Sequence, residues 1–195
     1  MKKIHLALKS PQPSSISRYL WKQCITIRQV VLITSCDAGG KPDIAPKTWV
    51  TPCRDDPPMI VFCCTKKHQT ARNILSNGEF VVNYPSAALV EKVACTGSTH
   101  EPQKVPKSGF TLIPSEKVRP PRLEECYLHL ECTVAEIIYH GPEGVIFFGD
   151  VIAASGDEIG GSNAARLKTV DPLLYGNGMY GKISGIHPWK WVVAP

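Results

Sequence analysis

Six β-rich segments recur along the chain, at residues 30–35, 44–50, 59–64, 80–84, 127–139 and 145–154. Each is an apolar/polar alternation or a short continuous apolar run, the two patterns that strands leave in a sequence. Helical patterns are few and short, at 16–23, 71–77 and 86–95. A chain with that ratio buries its apolar faces best as a closed or nearly closed antiparallel barrel with helices plugging its sides. Asp37-Ala38-Gly39-Gly40 supplies the turn that joins the first two strands as a hairpin. In the fifth segment Leu128, Leu130, Cys132 and Val134 alternate with His129, Glu131, Thr133 and Ala135, which predicts His129 on the outward, polar face.

Composition narrows the class. With 195 residues, 43% of them hydrophobic, the chain can bury a core but is short for two, so residues 1–195 are expected to form a single domain. No apolar run approaches the roughly 20 residues that span a bilayer. The opening Met1-Lys2-Lys3-Ile4-His5-Leu6-Ala7-Leu8 has the charge of a signal peptide, but its apolar part breaks at Lys9 and Pro11, so a cytoplasmic location is expected. The net charge of +5 is scattered, without a long basic run, an RNP-like aromatic motif or a Cys/His finger. Nucleic acid is therefore not the expected partner. Eight cysteines include no C-x-x-C pair, and adjacent Cys63 and Cys64 point to opposite faces of a strand. Cys95 with His100, or Cys64 with His68, would supply ligand pairs, whereas structural zinc wants four ligands. The cysteines read as reduced packing residues, and no metal is expected.

Gly-x-Gly-x-x-Gly, Gly-x-Ser-x-Gly and His-Glu-x-x-His are absent, which removes support for Rossmann, hydrolase and metalloprotease readings. Glu124-Glu125 and Asp55-Asp56 read as solvated loop charges, and nothing orders Ser and His residues into a triad. Residues 102–106 and 156–163 read as loops, and the tail Trp189-Lys190-Trp191-Val192-Val193 as a packing segment. The chemistry is expected from a cofactor.

One loop suits an anion. Thr65-Lys66-Lys67-His68-Gln69-Thr70 lies between an apolar strand and a short helix. Lys66, Lys67 and His68 supply positive charge, Thr65 and Thr70 supply hydroxyls, and Thr70 is placed to cap the helix over 71–77. The first turn of a helix has unpaired N–H groups and the positive end of the dipole, so a phosphate would fit there. Gly78 stands where a left-handed residue is expected to end the helix. Lys66 and Lys67 also read as a solvated turn, and Thr70 as an ordinary cap.

The order of the surrounding motifs adds to this. Gln29-Val30-Val31-Leu32-Ile33-Thr34-Ser35 is followed by Asp37-Ala38-Gly39-Gly40-Lys41-Pro42-Asp43, Ala45-Pro46-Lys47-Thr48-Trp49 and Asp56-Pro57-Pro58. Then come His68-Gln69-Thr70-Ala71-Arg72-Asn73-Ile74 and Gly78-Glu79-Phe80-Val81-Val82-Asn83, and later Phe148-Gly149-Asp150-Val151 and Asp171-Pro172-Leu173-Leu174. This ordered set, over about residues 28–180, resembles the flavin reductase-like, FMN-binding split-barrel family of flavin reductases, flavoredoxins and ferric reductases. His68 departs from the Lys or Arg of many relatives.

The resemblance implies a mainly β split barrel with a few short flanking helices, a homodimer with two flavin sites near the subunit interface, and bound FMN reduced by NAD(P)H. Hydride would pass from nicotinamide to the flavin, leaving binding and orientation to the protein. Pro46, Lys47, Thr48 and Trp49 would lie along the flavin. Lys66, Lys67, His68 and Thr70 would hold its phosphate, with Cys64 and Thr65 alongside. Gln29 and Asn83 are further candidates, and Lys107 could come from the second subunit. Asn83 also reads as a strand-end turn residue, and Trp49 as a core aromatic. The activity expected is NAD(P)H-dependent reduction of flavin or ferric iron, with a monooxygenase or redox protein as partner. The alternatives are an FMN electron carrier reduced by a protein, and a flavin-free binding protein.

Overall fold

The computed structural model describes residues 27–98, 103–158, 163–176 and 178–183. The expected helix over 16–23 and the tail 189–193 lie outside them. Strands are β1 (Arg28–Gln29), β2 (Val31–Cys36), β3 (Pro42–Lys47), β4 (Val50–Arg54), β5 (Met59–Thr65) and β6 (Glu79–Tyr84), then β7 (Leu112–Ile113), β8 (Arg122–Leu123), β9 (Leu128–His140), β10 (Gly144–Gly156), β11 (Leu174–Gly176) and β12 (Met179–Gly181). Helices are α1 (Gln69–Asn77), α2 (Val90–Ser98, entered through a 3₁₀ turn at Ala87–Leu89), α3 (Lys104–Ser108) and α4 (Asn163–Val170). Among the described residues no helix is long and apolar enough to cross a membrane.

Seven strands form one antiparallel sheet in the order β3-β2-β6-β9-β10-β5-β4. Its two edge strands, β3 and β4, are consecutive in the chain and joined by Thr48 and Trp49 alone. Such a sheet must curl until its edges come together at that end, which makes it a split barrel. The single strand expected over 44–50 is thus two strands with a bend at Thr48-Trp49. Nothing in Thr48-Trp49-Val50-Thr51 marks a turn, because all four residues favour strands. The edges do carry a mark: Pro42 and Pro46 in β3 and Pro52 in β4 lack an N–H to donate, a loss tolerated on edge strands.

The barrel core comes from alternate residues of the curled sheet. Val31 and Ile33 of β2, Ile60 and Phe62 of β5, Phe80 and Val82 of β6, Cys132 of β9, and Val145 and Phe147 of β10 form one buried cluster. Phe62 meets Phe80 edge to face at 5.2 Å. Ala71 and Ile74 bring α1 into the same cluster. This helix packs on β2 and β3 near one edge of the sheet and on β5 near the other, so it plugs the open side. It ends as expected at Gly78, in the left-handed region with φ 73°. Val30, Leu32 and Ile44 face the other way, into a second cluster with Val93 of α2, Phe110, Leu123 and Leu173. With both faces covered, β2 is buried along its whole length, the physical basis of its continuous apolar run. At a register shift in β10, Gly149 makes room for Phe80: a Cβ there would stand 2.3 Å from Phe80 Cζ.

The outward assignment of His129 is corrected. His129 and Glu131 are buried because residues 114–123 lie across that face of β9. Glu131 accepts the N–H groups of Glu116 (2.9 Å) and Lys117 (2.7 Å). His129 Nδ1 lies 3.0 Å from Asn83 Oδ1, which also accepts the Leu123 N–H. Glu125 is likewise more than a solvated charge, since it accepts a 2.6 Å bond from Lys92 Nζ and bonds from Thr111. The loop expected over 102–106 contains the start of α3, and α4 begins at the end of the one expected over 156–163.

Candidate functional site

The bend between β3 and β4, the loop after β5 and the first turn of α1 meet at the seam of the barrel. They enclose three cavities that share Pro46. The first, about 280 Å³, is bounded by Pro46, Lys47, Thr48 and Trp49 on one side and Cys64, Thr65 and His68 on the other. The second, about 440 Å³, adds Lys67, Thr70, Arg72 and Lys104. The third lies beyond Thr48, toward β11 and β12.

Most of the expected residues therefore converge: Pro46, Lys47, Thr48, Trp49, Cys64, Thr65, Lys67, His68 and Thr70 line these spaces. Trp49 is 46% exposed and is no core aromatic. Four expected residues lie elsewhere. Lys66 is turned away, its Nζ 5.2 Å above the Tyr139 ring and its N–H bonded to the Glu143 carbonyl. Gln29 donates to the Tyr127 hydroxyl at 2.8 Å. Asn83 is fully buried and occupied: Nδ2 donates to the Leu32 carbonyl and Thr34 Oγ1, and Oδ1 accepts from Leu123. Lys107 is exposed on α3, outside the linings.

Thr70 does not cap α1. The helix starts two residues earlier than expected, at Gln69, with His68 at the N-cap and no side-chain cap hydrogen bond. Thr70 Oγ1 instead donates to Asp43 Oδ2 at 2.9 Å, and both residues are buried. The first helical bond runs from the Arg72 N–H to the His68 carbonyl, so the amides of residues 69–71 precede the ladder. No carboxylate stands in that first turn, which favours an external anion.

The cations around this turn differ in how they are balanced. Lys104 forms a 2.8 Å ion pair with Asp43, and Lys67 pairs with Glu143. Lys47 and Arg72 meet neutral groups among the described residues: Lys47 Nζ lies 3.5 Å from His68 Nδ1, and Arg72 bonds the Gln69 side chain and the Lys67 carbonyl. Burial lowers the pKa of His68, and Lys47 and Lys104 lower it further, so the imidazole is neutral at pH 7. Cys64 Sγ is 3.6 Å from the same His68 nitrogen.

Uncapped amides, two cations without a carboxylate partner among the described residues, and the Thr65 hydroxyl are the donor set of a phosphate monoester. Beside them lies the space along Pro46–Trp49, and Gly97 of α2 borders the adjoining second cavity, where a Cβ would be 3.3 Å from Pro46 Cγ. These residues fit a phosphorylated flavin. Arg72, Lys104 and Gly97 were not foreseen as site residues. Arg72 is signalled only by its place one turn into the helix, and Lys104 by nothing local, because its partner Asp43 is 61 residues away.

Cys36, Cys126 and Cys132 are buried, and burial pushes their thiols up. No three His, Cys, Asp or Glu side chains among the described residues cluster to hold a metal.

The fold and the site together define a small split-barrel β domain with a basic cleft at its seam. The chain matches the family described as "Flavin reductase like domain" over residues 25–184 and belongs to it, a family of flavin-binding oxidoreductases. It is 28% identical to the flavin-dependent monooxygenase reductase subunit HsaB of Rhodococcus jostii over 85% of this chain and 75% of that protein. The flavoredoxin of Methanosarcina acetivorans superposes with a TM-score of 0.78 at 26% identity, covering 99% of this chain and 97% of the other. Nitrilotriacetate monooxygenase component B of Bacillus cereus shares the fold, with a TM-score of 0.87 at 21% identity over 97% and 100% of the two chains. The chain spans 60–66% of the length of three uncharacterized curated relatives that it also matches.

Proposed function

We propose that the chain binds FMN in the seam cleft and works as an NAD(P)H-dependent reductase of flavin or ferric iron. The observation that carries this reading is the uncapped first turn of α1 beside Lys47, Arg72 and His68, next to the flat space along Pro46–Trp49. When bound, a flavin would supply the hydride-accepting chemistry. The chain's own residues bind and orient. Lys47, Arg72 and the amides of residues 69–71 hold the phosphate; Lys67 and Thr65 stand beside it. Neutral His68 accepts from Lys47, which aims the ammonium into the cleft. Pro46, Thr48 and Trp49, which line the first cavity, would flank the ring system.

The likeness to a monooxygenase reductase subunit supports a partner oxygenase as the destination of the reduced flavin. The likeness to a flavoredoxin supports a second reading, an FMN electron carrier reduced by a protein. The homodimer also belongs to this proposal. Its support is an outer sheet face on which Val61, Cys63, Ile146 and Phe148 sit in register with one another and remain half-buried.

The visible spectrum of the purified protein, followed by anaerobic addition of NADH and then NADPH, tests the proposal. Flavin bands that bleach on addition are the expected result. Bands that persist would favour the electron carrier, and no bands even after adding FMN would refute the cleft's assignment.

A further inference from the structure

Among the described residues, His68 is the only imidazole in the linings of the first and second cavities, and it belongs to both. It is the N-cap of α1, and its backbone carbonyl accepts the Arg72 N–H. Its ring Nδ1 lies 3.5 Å from Lys47 Nζ and 3.6 Å from Cys64 Sγ. With ammonium and thiol both as donors, the neutral ring carries its own proton on Nε2. The side chain is exposed at the rim of the cleft, so solvent protons reach it directly.

Every element around the ring bears on its charge. Partial burial first, then Lys47 of β3 and Lys104 of α3, disfavour the imidazolium, and Arg72 of α1 adds to them. The positive end of the α1 dipole acts in the same direction. Asp43 of β3 opposes them, but Lys104 and Thr70 already engage its two oxygens. β5 contributes the Cys64 thiol, and Lys67 of the same loop is paired with Glu143. What keeps the proton off His68 is therefore largely an excess of local positive charge. A dianion set between Lys47, Arg72 and the first-turn amides cancels that excess. Anion binding and protonation of the ring must then favour each other by the same factor.

We infer that the seam cleft is a proton-coupled anion site, which takes up one proton at His68 when it binds a dianion. The proton comes from solvent and adds to Nδ1; no bond to the anion forms. The imidazolium becomes a third cation of the site, and Lys47, released from Nδ1, turns its ammonium to the anion. Affinity is lowest where the ring is neutral in both free and bound protein. It rises as pH falls through the range in which the bound form alone holds the proton. The inference rests on the anion site of the proposed function and asks of the ligand only its charge.

Calorimetric titrations with sodium sulfate on flavin-free protein, at pH 7.5 and 5.5 and constant ionic strength, test the inference. Sulfate keeps both its charges across this range, so a change in affinity belongs to the protein. Wild type is expected to bind it about tenfold more tightly at pH 5.5, an ordinary coupling between two sites. His68→Gln should bind at both pH values as wild type does at 7.5, and His68→Arg at both as wild type does at 5.5. In proton NMR, sulfate should move the titration midpoint of the wild-type His68 ring upward. A flat wild-type profile, or the wild-type profile retained in His68→Gln, would overturn the inference. Should the variants fail to fold, the wild-type midpoint decides, and one that sulfate leaves unmoved overturns it. A wild type that binds FMN but shows the flat profile refutes this inference alone. One that binds neither FMN nor sulfate refutes the proposed function with it.

Discussion

Lys47 comes within 3.5 Å of His68, while Lys66 lies 5.2 Å over the Tyr139 ring. The two lysines look equivalent as sequence, and the structure makes them opposites. Lys47→Ala should weaken FMN binding by about 1.5–3 kcal/mol, the range for a charge-assisted contact, in a fluorescence titration. Lys66→Ala should leave it within about twofold, since an exposed cation–π contact is worth only about 0.5–1 kcal/mol and does not touch the cleft. Equal losses would move the anion to the other side of the loop. The basic loop itself was legible, because Thr, Lys and His before a helix are a chemical signal. Its aim was not, because Glu143 and Tyr139, which turn Lys66 away, belong to a hairpin far along the chain.

His129 illustrates the same limit and yields a pH prediction. Burial first, and Arg122 second, lower its pKa below the unfolded value of 6.5. The unfolded chain then binds more protons than the folded one as pH falls through about 6.5, so stability is full above that pH and declines below it. Glu125, held low chiefly by its bond from Lys92 against the opposing effect of burial, contributes stability that is lost only in a more acidic range. Urea midpoints at pH 7.5 and 5.5 should therefore fall for wild type and fall less for His129→Gln. An unchanged slope in the variant would show that His129 is not the group responsible.

At the scale of elements, a buried ion pair ties α3 to the barrel beside the packing of Val105 on the second core cluster. Lys104 Nζ bonds Asp43 Oδ1 at 2.8 Å, with 13% and 1% of the two side chains exposed, and Thr70 of α1 bonds the other oxygen. Asp43 thus fastens α1 and α3 to β3 together. Lys104→Met should destabilise by about 3 kcal/mol, because it strands a buried carboxylate. Adding Asp43→Asn should recover part of that loss, and a double-mutant cycle from denaturant melts measures the coupling. Strictly additive effects would mean that the pair is not coupled. The long strands and α1 were legible to within one or two residues at each end, since periodicity and the Gly78 stop are local. The bend at Thr48-Trp49 and α3 were not. The bend is imposed by closure of the sheet, and α3 is a short helix whose ion-pair partner on β3 is 61 residues away.

For the whole molecule, the barrel and the family were legible because so many short motifs fall in order over residues 28–180, a span that the family match at 25–184 reproduces. The outer sheet face leads to a prediction about assembly. Phe148→Glu places a charge among Val61, Ile146 and Met59 of the half-buried face and should convert the proposed dimer into a monomer by sedimentation equilibrium, leaving the barrel folded. A variant with the wild-type mass would locate the interface elsewhere.

The seam also has a consequence for how the chain finds its fold. The strands that border it are separated by two residues, and each is paired to its inner neighbour by a local hairpin. The pairing of β5 with β10, by contrast, must close about 80 residues of chain. The entropy of assembly is therefore concentrated in the middle of the sheet, and the edges, where the ligand cleft forms, come together almost free of it. Formation of the cleft should follow the β5–β10 pairing rather than limit it, which makes that pairing the slow step of folding.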